Sequence, residues 1–108
     1  MNELYLSPEA ESDLAEIKAY ISEELENPAA ALATAGRITK SLRILRTHPF
    51  AGAPLSSVAE VESDYRFLVS GSYLAFYRVR DSAVYVDRIL YGRRDYLRIL
   101  FGGTKTAE

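Results

Sequence analysis

Residues 65–101 read YRFLVSGSYLAFYRVRDSAVYVDRILYGRRDYLRILF, and the predicted fold is built around this stretch. Three segments have the Tyr, Phe, Val, Ile and Leu content of β-strands: Tyr65–Val69, Ser72–Arg80 and Ala83–Tyr91. Only Ser70-Gly71 and Asp81-Ser82 separate them, and connections that short allow only antiparallel hairpins. The sequence therefore predicts a three-stranded antiparallel meander.

The end of this stretch changes character twice. In the last predicted strand, the alternation of Val84 and Val86 changes phase at Ile89 and Tyr91. The change indicates either a β-bulge near Asp87-Arg88 or burial on both faces of the strand. An arginine-rich turn, GRRD, then precedes a short, apolar, helix-compatible segment that a Gly-Gly pair ends.

The residues before the meander predict a strand and two helices. Glu3–Leu6 is short and apolar, and we expect it to join the sheet. Ser7-Pro8 and Asn27-Pro28 each combine an N-cap residue with proline at the first helical position. Apolar residues at intervals of three and four extend the second helix to Thr47, and the short connection makes the helices an antiparallel hairpin. Gly36 in the second helix predicts a close approach by a neighbouring backbone.

These elements predict an α+β fold, in which an N-terminal strand and an α-helical hairpin pack on a small antiparallel β-meander with a short C-terminal helix. The stretch between the second helix and the meander contains Pro49, Gly52 and Pro54 and is expected to be irregular. A chain of 108 residues can form one hydrophobic core. We therefore expect a single domain, residues 1–108, with a disordered tail at 103–108.

Composition excludes several kinds of chemistry. The chain has no Cys and one His, so thiol catalysis and cysteine-ligated zinc are excluded, and we expect neither a metal ion nor another cofactor. The histidine, His48, lies beside a helix-terminating proline and is interpreted as a partner of the helix C-terminus. No apolar run approaches the roughly 20 residues that span a bilayer. The N-terminus also lacks a signal-peptide pattern, so a cytoplasmic location is expected.

Charge is unevenly distributed along a chain whose net charge is −2. Residues 1–64 carry 11 acidic and 5 basic side chains, whereas residues 65–108 carry 8 basic and 4 acidic ones. This asymmetry is typical either of an anionic partner, nucleic acid or acidic protein, or of mutual neutralisation between the two halves. The second helix also has a basic face, which is either a solvated surface or a contact surface. That face consists of Arg37, Lys40, Arg43 and Arg46.

The order of elements, with the motifs SPEAESDLAEI at 7–17, SYLAFYRV at 72–79 and VYVDRILYGRRDY at 84–96, resembles the RelE/ParE superfamily of type II toxins. The resemblance covers nearly the whole chain, and its C-terminal segment is the most specific part. It implies a toxin of the plasmid-stabilisation type that arrests growth when free. A cognate antitoxin would hold it inactive by wrapping the sheet and helices, and the assembly would be a homodimer or a toxin–antitoxin hetero-oligomer.

This superfamily contains toxins that cleave messenger RNA on the ribosome and toxins that poison DNA gyrase, so the fold alone does not identify the target. If the chain is a nuclease, the catalytic residues are expected among Arg66, Tyr91, Arg94 and Tyr96. Leu74 and Leu100, however, stand where RelE-type nucleases carry an arginine and a tyrosine. The chain is also acidic overall, whereas a nuclease that enters the ribosome needs a strongly basic surface.

We therefore favour a ParE-like inhibitor that binds DNA gyrase without catalysis, with a ribosome-dependent mRNA endoribonuclease as the alternative. A third hypothesis is a decayed toxin that only binds its antitoxin. Structural interpretations stay open for two features: Arg88 could pair with Asp87 or a loop carboxylate, and the GRRD turn could be a helix entry in which Asp95 pairs with an arginine. The residues predicted to bind a target or partner are Arg37, Lys40, Arg43, Arg78, Arg88, Arg93 and Arg94.

Overall fold

A computed structural model describes residues 1–102, so the predicted tail at 103–108 lies outside the described residues. The predicted α+β class is confirmed. In chain order the elements are β1 (Glu3–Leu6), α1 (Pro8–Ala19), a π-helical turn (Tyr20–Glu24), α2 (Pro28–Ile44), β2 (Ala53–Pro54), a 3-10 turn (Leu55–Ser57), β3 (Arg66–Ser70), β4 (Tyr73–Arg80), β5 (Ala83–Tyr91) and α3 (Tyr96–Phe101).

The five strands form one sheet in the order β1-β5-β4-β3-β2. The meander β3-β4-β5 is antiparallel as predicted, and its two turns contain Gly71 and Asp81 at positive φ. β1 joins the sheet, also as predicted, and lies parallel to β5. β2 at the opposite edge is a two-residue strand. The expectation of an irregular stretch is therefore wrong at Ala53–Pro54, where the chain pairs with β3.

The phase change in the last strand has two causes. Phe76 of β4 lies opposite Arg88, whereas Tyr77 lies opposite Val86, so Asp87 is the extra residue of a β-bulge. Beyond the bulge both faces of β5 are buried as well, since Ile89 and Leu90 are each 1% exposed. Both interpretations of the sequence pattern therefore hold.

The helical hairpin covers one face of the sheet. The two predicted N-caps are confirmed, because the Ala10 N–H donates to Ser7 Oγ and the Ala30 N–H donates to Asn27 Oδ1. Burial of the apolar stripes of α1 and α2 supplies the main stabilisation of this face. The buried residues are Ala10, Ile38, Leu42, Leu45, Ala75, Tyr77, Val84, Val86 and Ile89.

The opposite face is covered by α3 and the 3-10 turn, which pack around the buried side chains of Leu55, Phe76 and Leu90. Asp95 caps α3 by accepting a hydrogen bond from the Arg98 N–H, and its carboxylate pairs with Arg98 Nε at 3.4 Å. The predicted pairing of Asp95 with an arginine is therefore confirmed. This second core fixes α3 against the sheet.

The connection between the two helices is deformed. α1 ends in the π-helical turn, where the Leu25 N–H donates to the Tyr20 carbonyl, and Glu26 follows with a positive φ of 52°. Helical turns of this kind are frequent at functional sites. Here the turn leaves Tyr20 at the surface, 54% exposed.

Two glycines predict opposite effects of an added methyl group. A Cβ at Gly36 would meet nothing within 4 Å, so the predicted close backbone approach is wrong there. Gly36→Ala should therefore raise the free energy of unfolding by about 0.5–1 kcal/mol through helix propensity. A Cβ at Gly52 would lie 2.5 Å from the Phe67 carbonyl oxygen and 2.8 Å from Tyr77 Oη. Gly52→Ala should therefore lower the free energy of unfolding by about 1–3 kcal/mol. Urea denaturation measures both, and a neutral Gly52→Ala would contradict this geometry.

Candidate functional site

A buried carboxylate joins α1 to the sheet. Asp13, 6% exposed, accepts hydrogen bonds from Arg88 Nε at 2.7 Å, Arg88 Nη2 at 2.8 Å and the Ile89 N–H at 2.9 Å. These hydrogen bonds raise the pKa of Arg88 above its usual value. β1 ends opposite Val86, so the Ile89 N–H lies on a stretch of β5 that β1 does not reach. Asp13 thus accepts a backbone hydrogen bond that a neighbouring strand would otherwise accept. Because Arg88 pairs with Asp13 of α1, the expected pairing of Arg88 with Asp87 or a loop carboxylate is wrong.

A second ionic cluster lies at the bulge on the other face. Asp87 Oδ2 pairs with Arg78 Nη2 at 2.8 Å and accepts a hydrogen bond from the Tyr65 hydroxyl at 2.7 Å. The Arg78 guanidinium lies over the Tyr65 ring, 5.0 Å from its centroid. Burial, followed by the hydrogen bond to Asp87, raises the pKa of Tyr65 to about 12. Arg78 is therefore held within the fold.

Arg66 holds a loop. Its Nε and Nη2 donate to the Gly52 carbonyl at 3.1 and 2.8 Å, and Nη2 also donates to the Phe50 carbonyl at 3.3 Å. The guanidinium lies 5.1 Å from the centre of the Phe50 ring. These contacts occupy most of the donors that Arg66 could offer to a phosphate.

An open groove of about 780 Å³ lies between the helical hairpin and one end of the sheet. The π-helical turn and α2 form one wall, and the tip of the β3–β4 hairpin with the end of β5 forms the other. Three tyrosines, Tyr20, Tyr73 and Tyr91, line it together with the apolar side chains of Ile17, Ile21 and Leu25. The rings of Tyr73 and Tyr91 are in edge contact, with centroids 6.0 Å apart, and burial raises the pKa of Tyr73.

Charged side chains of both signs line this groove. Arg37 of α2 and Arg94 of the GRRD turn are the cations, and Asp13 and Glu16 of α1 are the anions. The Asp13 carboxylate is already occupied by Arg88, whereas neither Arg37 nor Arg94 has an ion-pair partner within residues 1–102. The groove therefore offers a partner an apolar, aromatic floor with two available guanidinium groups.

The structure brings together only some of the predicted site residues. Arg37, Tyr91 and Arg94 share the groove, whereas Tyr96 packs on Phe76 in the second core, with ring centroids 5.1 Å apart. The other predicted residues lie elsewhere: Lys40 and Arg43 are exposed on α2, Arg93 is exposed in its turn, Arg78 and Arg88 are ion-paired, and Arg66 binds the 50–52 loop.

Three residues of this region were not predicted from the sequence: Asp13, Tyr20 and Tyr73. Asp13 did leave a signal, because it lies three residues after Ala10 and four before Ile17 and so falls within the apolar stripe of the first helix. No cluster of three or more potential metal-ligating side chains is found among residues 1–102. In the same part of the chain, no helix is both long and apolar enough to cross a membrane.

Comparisons with known proteins agree with this architecture. Residues 4–96 match the model of a family described as the ParE toxin of type II toxin-antitoxin system, parDE. A solved chain described as the chromosomal ParDE system from P. aeruginosa is 25% identical, with a TM-score of 0.71, and the match covers 84% of this chain and 96% of that one. YafQ from E. coli strain BL21(DE3) is 15% identical with a TM-score of 0.47, covering 84% and 93%. No curated protein sequence matches significantly.

The fold is thus that of the RelE/ParE superfamily of type II toxins, as the sequence motifs predicted. Within it, this chain belongs to the ParE toxin family. Its partner is a cognate antitoxin.

Removing the Asp13 carboxylate tests its structural role. Asp13→Ala leaves the Ile89 N–H and the Arg88 guanidinium without their acceptor, so we expect the free energy of unfolding to fall by about 2–4 kcal/mol. Asp13→Asn keeps one acceptor oxygen, so its free energy of unfolding should fall less than that of Asp13→Ala. Glu11→Ala, at an exposed position of α1 outside this cluster, is the matched control and should change stability by less than about 1 kcal/mol. Equal unfolding midpoints for Asp13→Ala and Glu11→Ala in urea would contradict this role.

Tyr65 makes stability depend on alkaline pH. Its pKa is raised from 10.0 to about 12, so the folded chain retains a proton that the unfolded chain releases between these values. The stabilisation is fully present below pH 10 and is lost as the pH rises to about 12. Denaturation midpoints measured across this window should fall more steeply for the wild type than for Tyr65→Phe. Parallel curves would contradict a hydroxyl that is partly buried and hydrogen-bonded to Asp87.

Proposed function

We propose that this toxin arrests growth by binding DNA gyrase in the cytoplasm, without catalysing a reaction itself. The observation that carries the proposal is the separation of the predicted nuclease residues. RNA cleavage through its own 2′-hydroxyl needs a base, an acid and cations around one phosphate. In this fold, only Tyr91 and Arg94 of the four candidates lie in one groove.

The positions of the other two candidates explain why they are not expected to join that pair. Arg66 lies opposite Tyr77 and Tyr91 lies opposite Tyr73, so four residues of β4, about 13 Å, separate them along the sheet. Arg66 is also engaged by backbone carbonyls. Tyr96 belongs to the core on the opposite face of the sheet.

Available positive charge supports a binding role. Arg37, Lys40 and Arg43 are exposed on α2, and Arg93 and Arg94 are exposed in the turn after β5. None of the five has an ion-pair partner in the described part of the chain. Exposed, unpaired cations raise association rates with acidic partners and are typical of electrostatically steered interfaces. We propose these five residues, rather than the ion-paired Arg78 and Arg88, as the cations that contact the target.

The antitoxin is proposed to occupy the groove. Its floor suits large apolar side chains of an amphipathic segment, and Arg37 and Arg94 suit acidic residues of that segment. A segment bound there would cover Arg37 and Arg94, which are two of the five cations proposed to contact the target. Neutralisation would then follow from direct competition with the target.

The ribonuclease alternative keeps one supporting observation, since Tyr91 and Arg94 line the same groove. The binding inhibitor and the ribonuclease differ in whether they require the tyrosine hydroxyl groups. A binding inhibitor needs at most the rings, whereas proton transfer needs the hydroxyl itself.

Pulse labelling after tightly induced expression without antitoxin distinguishes the two functions. We expect thymidine incorporation to stop before amino-acid incorporation, and we expect Tyr91→Phe and Tyr96→Phe to remain fully toxic. Purified chain should also inhibit supercoiling by gyrase. Early loss of amino-acid incorporation, together with a Tyr91→Phe variant that is harmless but still binds the antitoxin, would overturn the proposal in favour of the ribonuclease.

A further inference from the structure

An exposed apolar patch lies beside the end of α2, away from the groove. Ile44, His48, Pro49, Phe50 and Ala51 line a shallow hollow of about 530 Å³, which we name the Phe50 patch. Phe50 is 62% exposed and Ile44 is 48% exposed. Exposed aromatic side chains at such patches are frequent anchors of protein–protein interfaces.

Phe50 is held in place although it is exposed. One side of its ring faces the Arg66 guanidinium, which also binds the Phe50 and Gly52 carbonyls. The Gly52 N–H donates to the buried Tyr77 hydroxyl at 2.9 Å. A ring fixed in this way loses little conformational entropy when a partner covers it, which favours binding.

The chain segment that carries the patch is basic. Residues 27–59 contain four basic side chains, the single histidine and no Asp or Glu. Lys40 lies one helical turn before Ile44 and is exposed on the same side of α2. Arg43 and Arg46 are also exposed near this end of the helix. An acidic surface around an apolar centre would therefore complement the patch and the adjoining cations of α2.

We propose that the Phe50 patch and the adjoining basic face of α2 form the contact with the toxin's target, an acidic protein surface with a small apolar pocket that receives Phe50. This inference rests on the proposed function and gives it a specific anchor. An apolar hollow beside cations favours a protein over nucleic acid, because contacts to phosphates dominate nucleic-acid binding. The groove lies at the other end of the sheet, so an antitoxin segment seated there does not need Phe50.

The test compares four variants, Phe50→Ala, Phe50→Tyr, Val69→Ala and Lys40→Ala, for binding to purified DNA gyrase and to the antitoxin. Phe50→Ala should weaken gyrase binding roughly 30-fold, as expected for an aromatic anchor. Phe50→Tyr keeps the ring and should stay within about threefold of the wild type. Val69→Ala is the matched control, because Val69 is 60% exposed on β3 outside the patch, and it should bind like the wild type. Undiminished antitoxin binding shows that each variant is folded.

Three results would overturn the inference. If Phe50→Ala binds gyrase as tightly as the wild type does, Phe50 is not an anchor. Loss of antitoxin binding with gyrase binding intact assigns the patch to the antitoxin. Loss of binding in Lys40→Ala but not in Phe50→Ala, with strong dependence on salt and DNA, indicates nucleic acid. If the wild type binds ribosomes instead of gyrase, the proposed target is wrong. The same variants, measured for ribosome binding and for growth arrest, then test independently whether the Phe50 patch contacts the target.

Discussion

The hydrogen bonds of the buried Asp13 carboxylate are the interaction on which the arrangement of helices and sheet depends. β1 is four residues long and β5 is nine, so β1 covers only part of the edge of β5 that faces away from β4. α1 supplies a side-chain acceptor there, which satisfies the Ile89 N–H and binds Arg88 in two places. A lone buried charge would be costly, but here it is paired and fully hydrogen-bonded. The same helix continues into Tyr20, so the position of the groove follows from this contact.

The bulge at Asp87 places charged residues around both sides of one strand. Arg88 reaches Asp13 on α1, whereas Asp87 pairs with Arg78 and accepts the Tyr65 hydroxyl. Most arginines of the sheet therefore form ion pairs or hydrogen bonds within the fold. The positive charge that remains for partners lies on α2 and in the turn after β5, and Arg66 contributes indirectly by fixing the Phe50 ring.

Much of the fold could be predicted from the sequence because local signals are strong. The N-cap residues Ser7 and Asn27 predict the helix starts, and the two-residue turns predict the meander. The altered alternation around Asp87 indicates the bulge. Contacts between residues distant in sequence were not predictable. The partner of Arg88 lies 75 residues away, and β2 forms where the 50–52 loop is held by Arg66 and Tyr77. Periodicity reports which face of an element is buried, but it does not report which arginine meets which carboxylate.

The separation of the candidate nuclease residues and the availability of the α2 cations both favour action by binding, with the groove left for the antitoxin. Hydrogen–deuterium exchange of the purified toxin with and without gyrase tests this division most directly. Slower exchange across residues 36–52 in the complex is the predicted result. An unchanged exchange rate in that segment at saturating gyrase, or protection confined to the tip at 70–73, would contradict a target contact through α2 and Phe50.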